Sequence, residues 1–190
     1  MWATWKLCGA CVLCSISATA SAAEPAPVER YETKLPVSDY RAGAARTVVG
    51  AGQADVLALV TDYAHYSGFI KPFETSRVVG HQGTSTDVYL RVKILKGAAK
   101  IWAVVRFDSP KVEGDKQTIV AHLVKGNVKR LDAVWHIRKT DDDHTKVALE
   151  LLIVPDFPVP ERLVVPEVRD AAGTAVSGLR DEAEKRVAAK

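Results

Sequence analysis

From residue 76 to residue 154 the apolar side chains of this chain fall on every second position. The clearest run is 87–95, where Val88, Leu90, Val92 and Ile94 alternate with Tyr89, Arg91 and Lys93. Period two puts successive side chains on opposite faces of an extended strand, so each run has one face to bury. Six such runs are read, at 76–79, 87–95, 100–108, 118–124, 129–139 and 146–154. The stretches between them are short and polar or rich in Gly and Pro. They suit hairpin turns and not the long crossovers that parallel pairing needs. The reading is a six-stranded antiparallel meander with one wet face and one apolar face.

An apolar sheet face needs a cover. Residues 155–160 carry Pro155, Pro158 and Pro160 and end the sheet. Pro166 then suits the first turn of a helix, where its missing N–H costs nothing. From 167 to 188, Val168, Ala171, Ala172, Ala175, Val176, Leu179, Ala183 and Val187 recur at helical spacing, with Arg169, Asp170, Arg180, Asp181, Glu184 and Lys185 on the other face. Ahead of the meander, 44–49 reads as a strand and 53–60 as a helix, and Thr61 or Asp62 can cap a second short helix reaching Ser67. The expected fold is therefore α+β: a curved antiparallel sheet wrapped around a long C-terminal helix, with two short helices after the first strand.

The N-terminus reads as an address. Lys6 is its only charge, residues 7–23 are uncharged, and Ala20-Ser21-Ala22 offers the small residues a signal peptidase reads. A cleaved secretory signal over 1–22 and a secreted, periplasmic protein are expected, against a membrane anchor, for which 17 uncharged residues are short. Residues 23–41 read as an extended leader and 42–190 as the folded domain. All three cysteines, Cys8, Cys11 and Cys14, leave with the signal, which excludes cysteine nucleophiles and Cys-metal sites from the domain. A formal charge of +3 is too small to argue for nucleic acid.

The stretch from Val56 to Val79 carries a resemblance. Val56, Asp62, Tyr66, Phe69 and Pro72 followed by a strand, then the Gly126 turn, Trp135, Thr145 and the 155–160 link into the last helix, resemble START-like (SRPBCC) domains. The similarity is greatest to the polyketide cyclase/dehydrase and coenzyme Q-binding branch, and it spans residues 46 to 186. It implies a helix-grip fold, in which the sheet clasps the C-terminal helix around a cavity for an apolar ligand. Function in that superfamily is far more varied than fold.

The alternation names the cavity wall without the family. Val88, Leu90, Val92, Ile101, Ala103, Val105, Leu131, Ala133, Trp135 and Leu149 share the apolar phase and face Val168, Ala172, Ala175 and Leu179 of the helix. Small residues on that helix leave volume, and volume lined by aliphatic side chains suits an apolar guest. Close packing of helix on sheet, with no cavity, is the alternative. The opposite phase holds Arg91, Lys93, Arg106, Asp132, His136, Arg138 and Glu150, so the wall has no acid or base. No catalytic residue is assigned; His122, of ambiguous phase, and Arg106, if a bulge turns it inward, are weak candidates. Asp141-Asp142-Asp143-His144 reads as a solvated turn rather than a metal site. The aromatics Tyr63, Tyr66, Phe69 and Phe73 read as a plug between the short helices and the sheet.

Alternate turns of a meander lie at one end of the sheet. One end collects Lys96, Lys100, Lys125, Lys129 and Arg130 and the other a set of aspartates, so a basic mouth able to touch an anionic membrane transiently is expected. The expected function is binding or carriage of a lipid or other apolar small molecule by a monomer, with no cofactor, metal or nucleic acid. A cyclase/dehydratase-like enzyme and a partner-binding module are the alternatives.

Overall fold

A computed structural model of the chain describes residues 25–35, 40–71, 73–94, 99–156 and 158–190. The signal expected over 1–22 lies outside them. The elements run β1 (Glu29–Lys34), β2 (Arg41–Val49), α1 (Gln53–Val60), a 3-10 turn (Tyr63–His65), α2 (Tyr66–Phe69), β3 (Phe73–Gln82), β4 (Ser85–Ile94), β5 (Ala99–Phe107), β6 (Lys111–Glu113), β7 (Lys116–Gly126), β8 (Val128–Lys139), β9 (Thr145–Pro155) and α3 (Glu161–Ala188).

The nine strands form one antiparallel sheet in the order β1-β2-β9-β8-β7-β5-β4-β3, with the short β6 beside β7. The meander thus starts at one edge with β3 and ends on β9, where β2 continues it. Leu149 of β9 opposes both Trp135 of β8 and Ala45 of β2, which puts the apolar phases of three strands on one face. α3 lies across that face, and the core joins Ala172, Ala175, Val176 and Leu179 to Val88, Val105, Ile119, Ile137 and Val147.

Three expectations are corrected. The extended leader contains β1, which pairs with β2 from Glu29↔Arg46 to Lys34↔Arg41. Its sequence ERYETK shows no apolar alternation because it is an edge strand held by charge, with both carboxylate oxygens of Glu29 accepting from Arg46 at 2.8 and 3.0 Å. The turn read over 109–115 holds β6, which opposes β7 through Gly114 at φ +60°, a value suited to glycine. The last helix begins at Glu161, not beside Pro166, and carries that proline inside it. The start is set from outside the helix: Pro160 is extended, Leu163 N–H donates to the Pro160 carbonyl at 2.9 Å, and the Glu161 carboxylate accepts from Arg41 N–H at 3.1 Å. Pro166 then removes one helical hydrogen bond, to Arg162, and buried Val165 and Val168 hold the turn against the sheet.

The small residues of α3 do a second job. Gly43 of β2 lies so close to the helix that a Cβ there would stand 2.2 Å from Arg169 N and 2.4 Å from its Cα. Ala172 is fully buried. Helix and strand therefore meet backbone to backbone along β2, and the volume expected there is closed by contact.

Candidate functional site

Among the described residues, apolar space remains beyond that contact, toward β4, β5, β8 and β9. There the sheet curves away from α3 and leaves an apolar recess of about 120 Å³. The structure places ten of the expected wall residues on it: Leu90, Val92, Ile101, Ala103, Val105, Leu131, Ala133, Trp135, Leu149 and Ala175. Four others lie elsewhere. Val88, Ala172 and Leu179 are sealed in the core, and Val168 is buried at the near end of α3; none of the four lines the recess.

The rest of the lining is Tyr66, Ile70, Lys71, Phe73, Phe107, Leu151, Ile153 and Ala171. Phe107, Leu151 and Ile153 continue phases already visible in the sequence, as the next apolar positions along β5 and β9. Ile70 and Lys71 follow α2, and nothing in their spacing pointed to the wall.

The aromatic plug forms, with one addition. Tyr66 sits edge-on to Tyr63 and Phe69 at 5.8 Å each, and Phe107 stacks against Tyr63 at 4.4 Å. The Tyr66 hydroxyl donates to the Val60 carbonyl and the Ser76 hydroxyl to the Tyr63 carbonyl, tying the short helices to the sheet edge. Burial pushes the Tyr63 phenol up to about 12 and the Tyr66 phenol well above its usual value. Both phenols are therefore neutral near pH 7.

Both weak catalytic candidates point away from the recess. In the register Arg106 opposes His122, and His122 opposes Asp132, all on the outer face. A bulge does occur between Val104 and Val105, but Arg106 stays outside and grips Asp87 with two hydrogen bonds of 2.7 and 2.8 Å. That pairing holds the Asp87 carboxyl below its ordinary value. Among the described residues, Lys71 is the one charged member of the lining. The 141–144 turn is exposed, with Asp141 accepting from His144 at 2.9 Å.

The basic end is less bare than expected. Glu74 of β3 reaches into it and meets Arg91 at 3.1 Å, Lys93 at 3.0 Å and Lys100 at 3.2 Å. These partners, led by the hydrogen bond from Lys93, hold its carboxyl below the usual range. Arg130 pairs with Asp132 at 2.5 Å. Lys125 and Lys129 have no ion pair among the described residues, and Lys96 lies outside them.

A curved antiparallel sheet closed over an apolar recess by one long C-terminal helix defines a helix-grip protein of the START type. The chain belongs to the polyketide cyclase/dehydrase and lipid transport family, whose model matches residues 49–180. It shares its fold with a STAR-related lipid transfer protein from Xanthomonas axonopodis (17% identity, 82% of this chain and 93% of that one, TM-score 0.69). It also shares it with an aromatase/cyclase from a Streptomyces species (15% identity, 85% and 96% covered, TM-score 0.65). A human lipid transfer and protein localization domain matches likewise (16% identity, 85% of each chain, TM-score 0.65). No curated protein sequence matches this chain.

Proposed function

We propose that this protein binds and carries a lipid or other apolar small molecule, isoprenoid quinones included, in the recess between sheet and α3. The observation that carries the reading is the wall itself: among the described residues eighteen line it, and one of them, Lys71, is charged. Such a wall gains about 0.8 kcal/mol for each methylene it takes from water. Among the described residues the wall has no histidine or carboxylate, the groups that most often do general acid–base chemistry, and the Tyr66 hydroxyl is taken up by the Val60 carbonyl. Sequestration without chemistry is the mechanism. At about 120 Å³ the closed recess is smaller than the 300 Å³ or more usual for ligand sites, so it widens on binding. The protein acts as a monomer, exported to the periplasm after cleavage near Ala23, and exchanges its cargo at an anionic membrane surface.

Native mass spectrometry of the protein purified from its own host, followed by solvent extraction, tests this. The expected result is a co-purifying apolar molecule at one per chain. Repeated absence of any such molecule, with no uptake of phospholipid, fatty acid or quinone by the purified protein, contradicts it.

A further inference from the structure

The outer face of β3, β4, β5 and β7 is unusual for the solvent side of a sheet. Trp102 is 38% exposed there and Val124 43%. Trp102 stacks on Tyr89, with ring centroids 6.4 Å apart and planes at 27°. The guanidinium of Arg77 lies over the other ring of the pair, 5.7 Å from the Tyr89 centroid.

The register shows how the set is assembled. Arg77 opposes Tyr89, Tyr89 opposes Val104, and Val104 opposes Lys125. In the next row Arg91 opposes Trp102, and beyond it Lys93 opposes Lys100. Five cations among the described residues thus surround the aromatic pair. One carboxylate, Glu74, answers three of them, Arg91, Lys93 and Lys100. Like charges directly opposite each other, as Lys93 and Lys100 are, destabilise a sheet. An exposed indole adds nothing to the core. The fold alone gives no reason for this cluster.

Trp102 is also held rigidly. Asn127 binds both backbone groups of that residue: its Oδ1 accepts from Trp102 N–H at 2.8 Å, and its own N–H donates to the Trp102 carbonyl at 3.1 Å. The turn comes this close because residue 126 is glycine; a Cβ there would meet the Trp102 carbonyl oxygen at 2.6 Å. An anchor fixed in place loses little freedom when it is buried by a partner.

We propose that this face is the surface by which the protein docks on an anionic lipid bilayer, with Trp102 seated at the headgroup level and Arg77, Arg91, Lys93, Lys100 and Lys125 on the lipid phosphates. Indole and phenol rings favour the membrane interface, where one edge is apolar and the other wet. Long cationic side chains on one surface add attraction to anionic lipid that fades within a Debye length. The inference deepens the carrier reading by naming the docking surface, and it lies on the opposite side of the sheet from the recess. Cargo binding and docking are therefore separable.

Co-sedimentation with vesicles of phosphatidylglycerol and phosphatidylcholine in equal parts, against pure phosphatidylcholine, is the test. The full chain is expected to bind the anionic vesicles, to release them as salt rises, and to leave the neutral ones in solution. Lys125→Glu lowers the partition coefficient about fivefold or more, and Trp102→Ala about tenfold. Trp102→Phe, which keeps an apolar ring, recovers part of the loss. Uptake of a neutral fluorescent probe, N-phenyl-1-naphthylamine, stays at the unmodified level in every variant. Binding of these folded variants at the unmodified level overturns the proposal. So does equal binding to both vesicles or binding to neither, even where the probe is taken up.

Discussion

Ala175→Phe fills the recess from the helix side. Ala175 is buried on α3 and lines the space beside Ala171, so a phenyl ring grown from its Cβ projects into the volume a guest would occupy. That volume, about 120 Å³, is about four times the roughly 30 Å³ that a water molecule occupies in the liquid, space for about four groups of methylene size. At about 0.8 kcal/mol per buried methylene the guest loses about 3 kcal/mol, or two orders of magnitude in affinity. Stability moves the other way from an ordinary core. Overpacking a filled site costs about 1–3 kcal/mol, whereas a ring entering empty apolar space gains contacts and leaves the melting temperature unchanged or higher. Titration with N-phenyl-1-naphthylamine reads the first effect and a thermal melt the second. A folded variant that binds the probe as tightly as the unmodified protein would refute the assignment of the site. A melting temperature well below normal would refute the claim that space exists there.

Two further outcomes follow from the packing and the charges. Gly43→Ala sets a Cβ against the backbone of Arg169, so α3 must lift from β2 at a cost of about 3 kcal/mol. A chain of this size then melts about 6–12 °C lower, and a shift within 2 °C or so would show that the contact yields freely. His136 of β8 has its pKa lowered below 6.5, first by burial and then by Lys116, with Glu150 at 3.7 Å opposing. The folded state therefore binds fewer protons than the unfolded chain. This stability is fully present above about pH 6.5 and is lost as pH falls through that value toward the folded pKa. Urea unfolding at pH 7.5 and 5.5 reads it, and His136→Gln is expected to flatten the difference; an unchanged slope would contradict it.

The sheet was legible where a strand is half-buried and hidden where it is not. Alternation exposed 87–95 and 129–139 because one face of each must be apolar. β1 carries ERYETK, whose pairing depends on Arg46 and Arg41 far along the chain, so no local pattern marks it. The helix start was missed for a similar reason. Proline at a first turn is the commoner arrangement, and only the Glu161 contact with Arg41 of β2 and the burial of Val165 reveal the earlier start.

The site divides in the same way. Wall residues on strands follow from phase, and Phe107 and Ile153 needed only one more step along it. Positions on α3 do not, because every alanine of the stripe is small and the seating of the helix on the sheet, which no local pattern records, sets which are closed and which face space. That is why Ala172 is sealed while Ala171 and Ala175 line the recess. Glu74 was missed at the basic end because its three partners come from β4 and β5 and meet it only once the register is set.

The central claim is that an apolar guest lies between the sheet and α3. Methyl-labelled NMR of the full chain during titration with N-phenyl-1-naphthylamine tests it most directly. The account predicts that shifts, and intermolecular contacts to the probe, concentrate on the methyls of Leu90, Ile101, Leu131, Leu149 and Ile153, with Val79, Val112 and Leu163 on the surface unmoved. Shifts confined to those surface methyls, with the five lining residues unchanged at saturation, would contradict it.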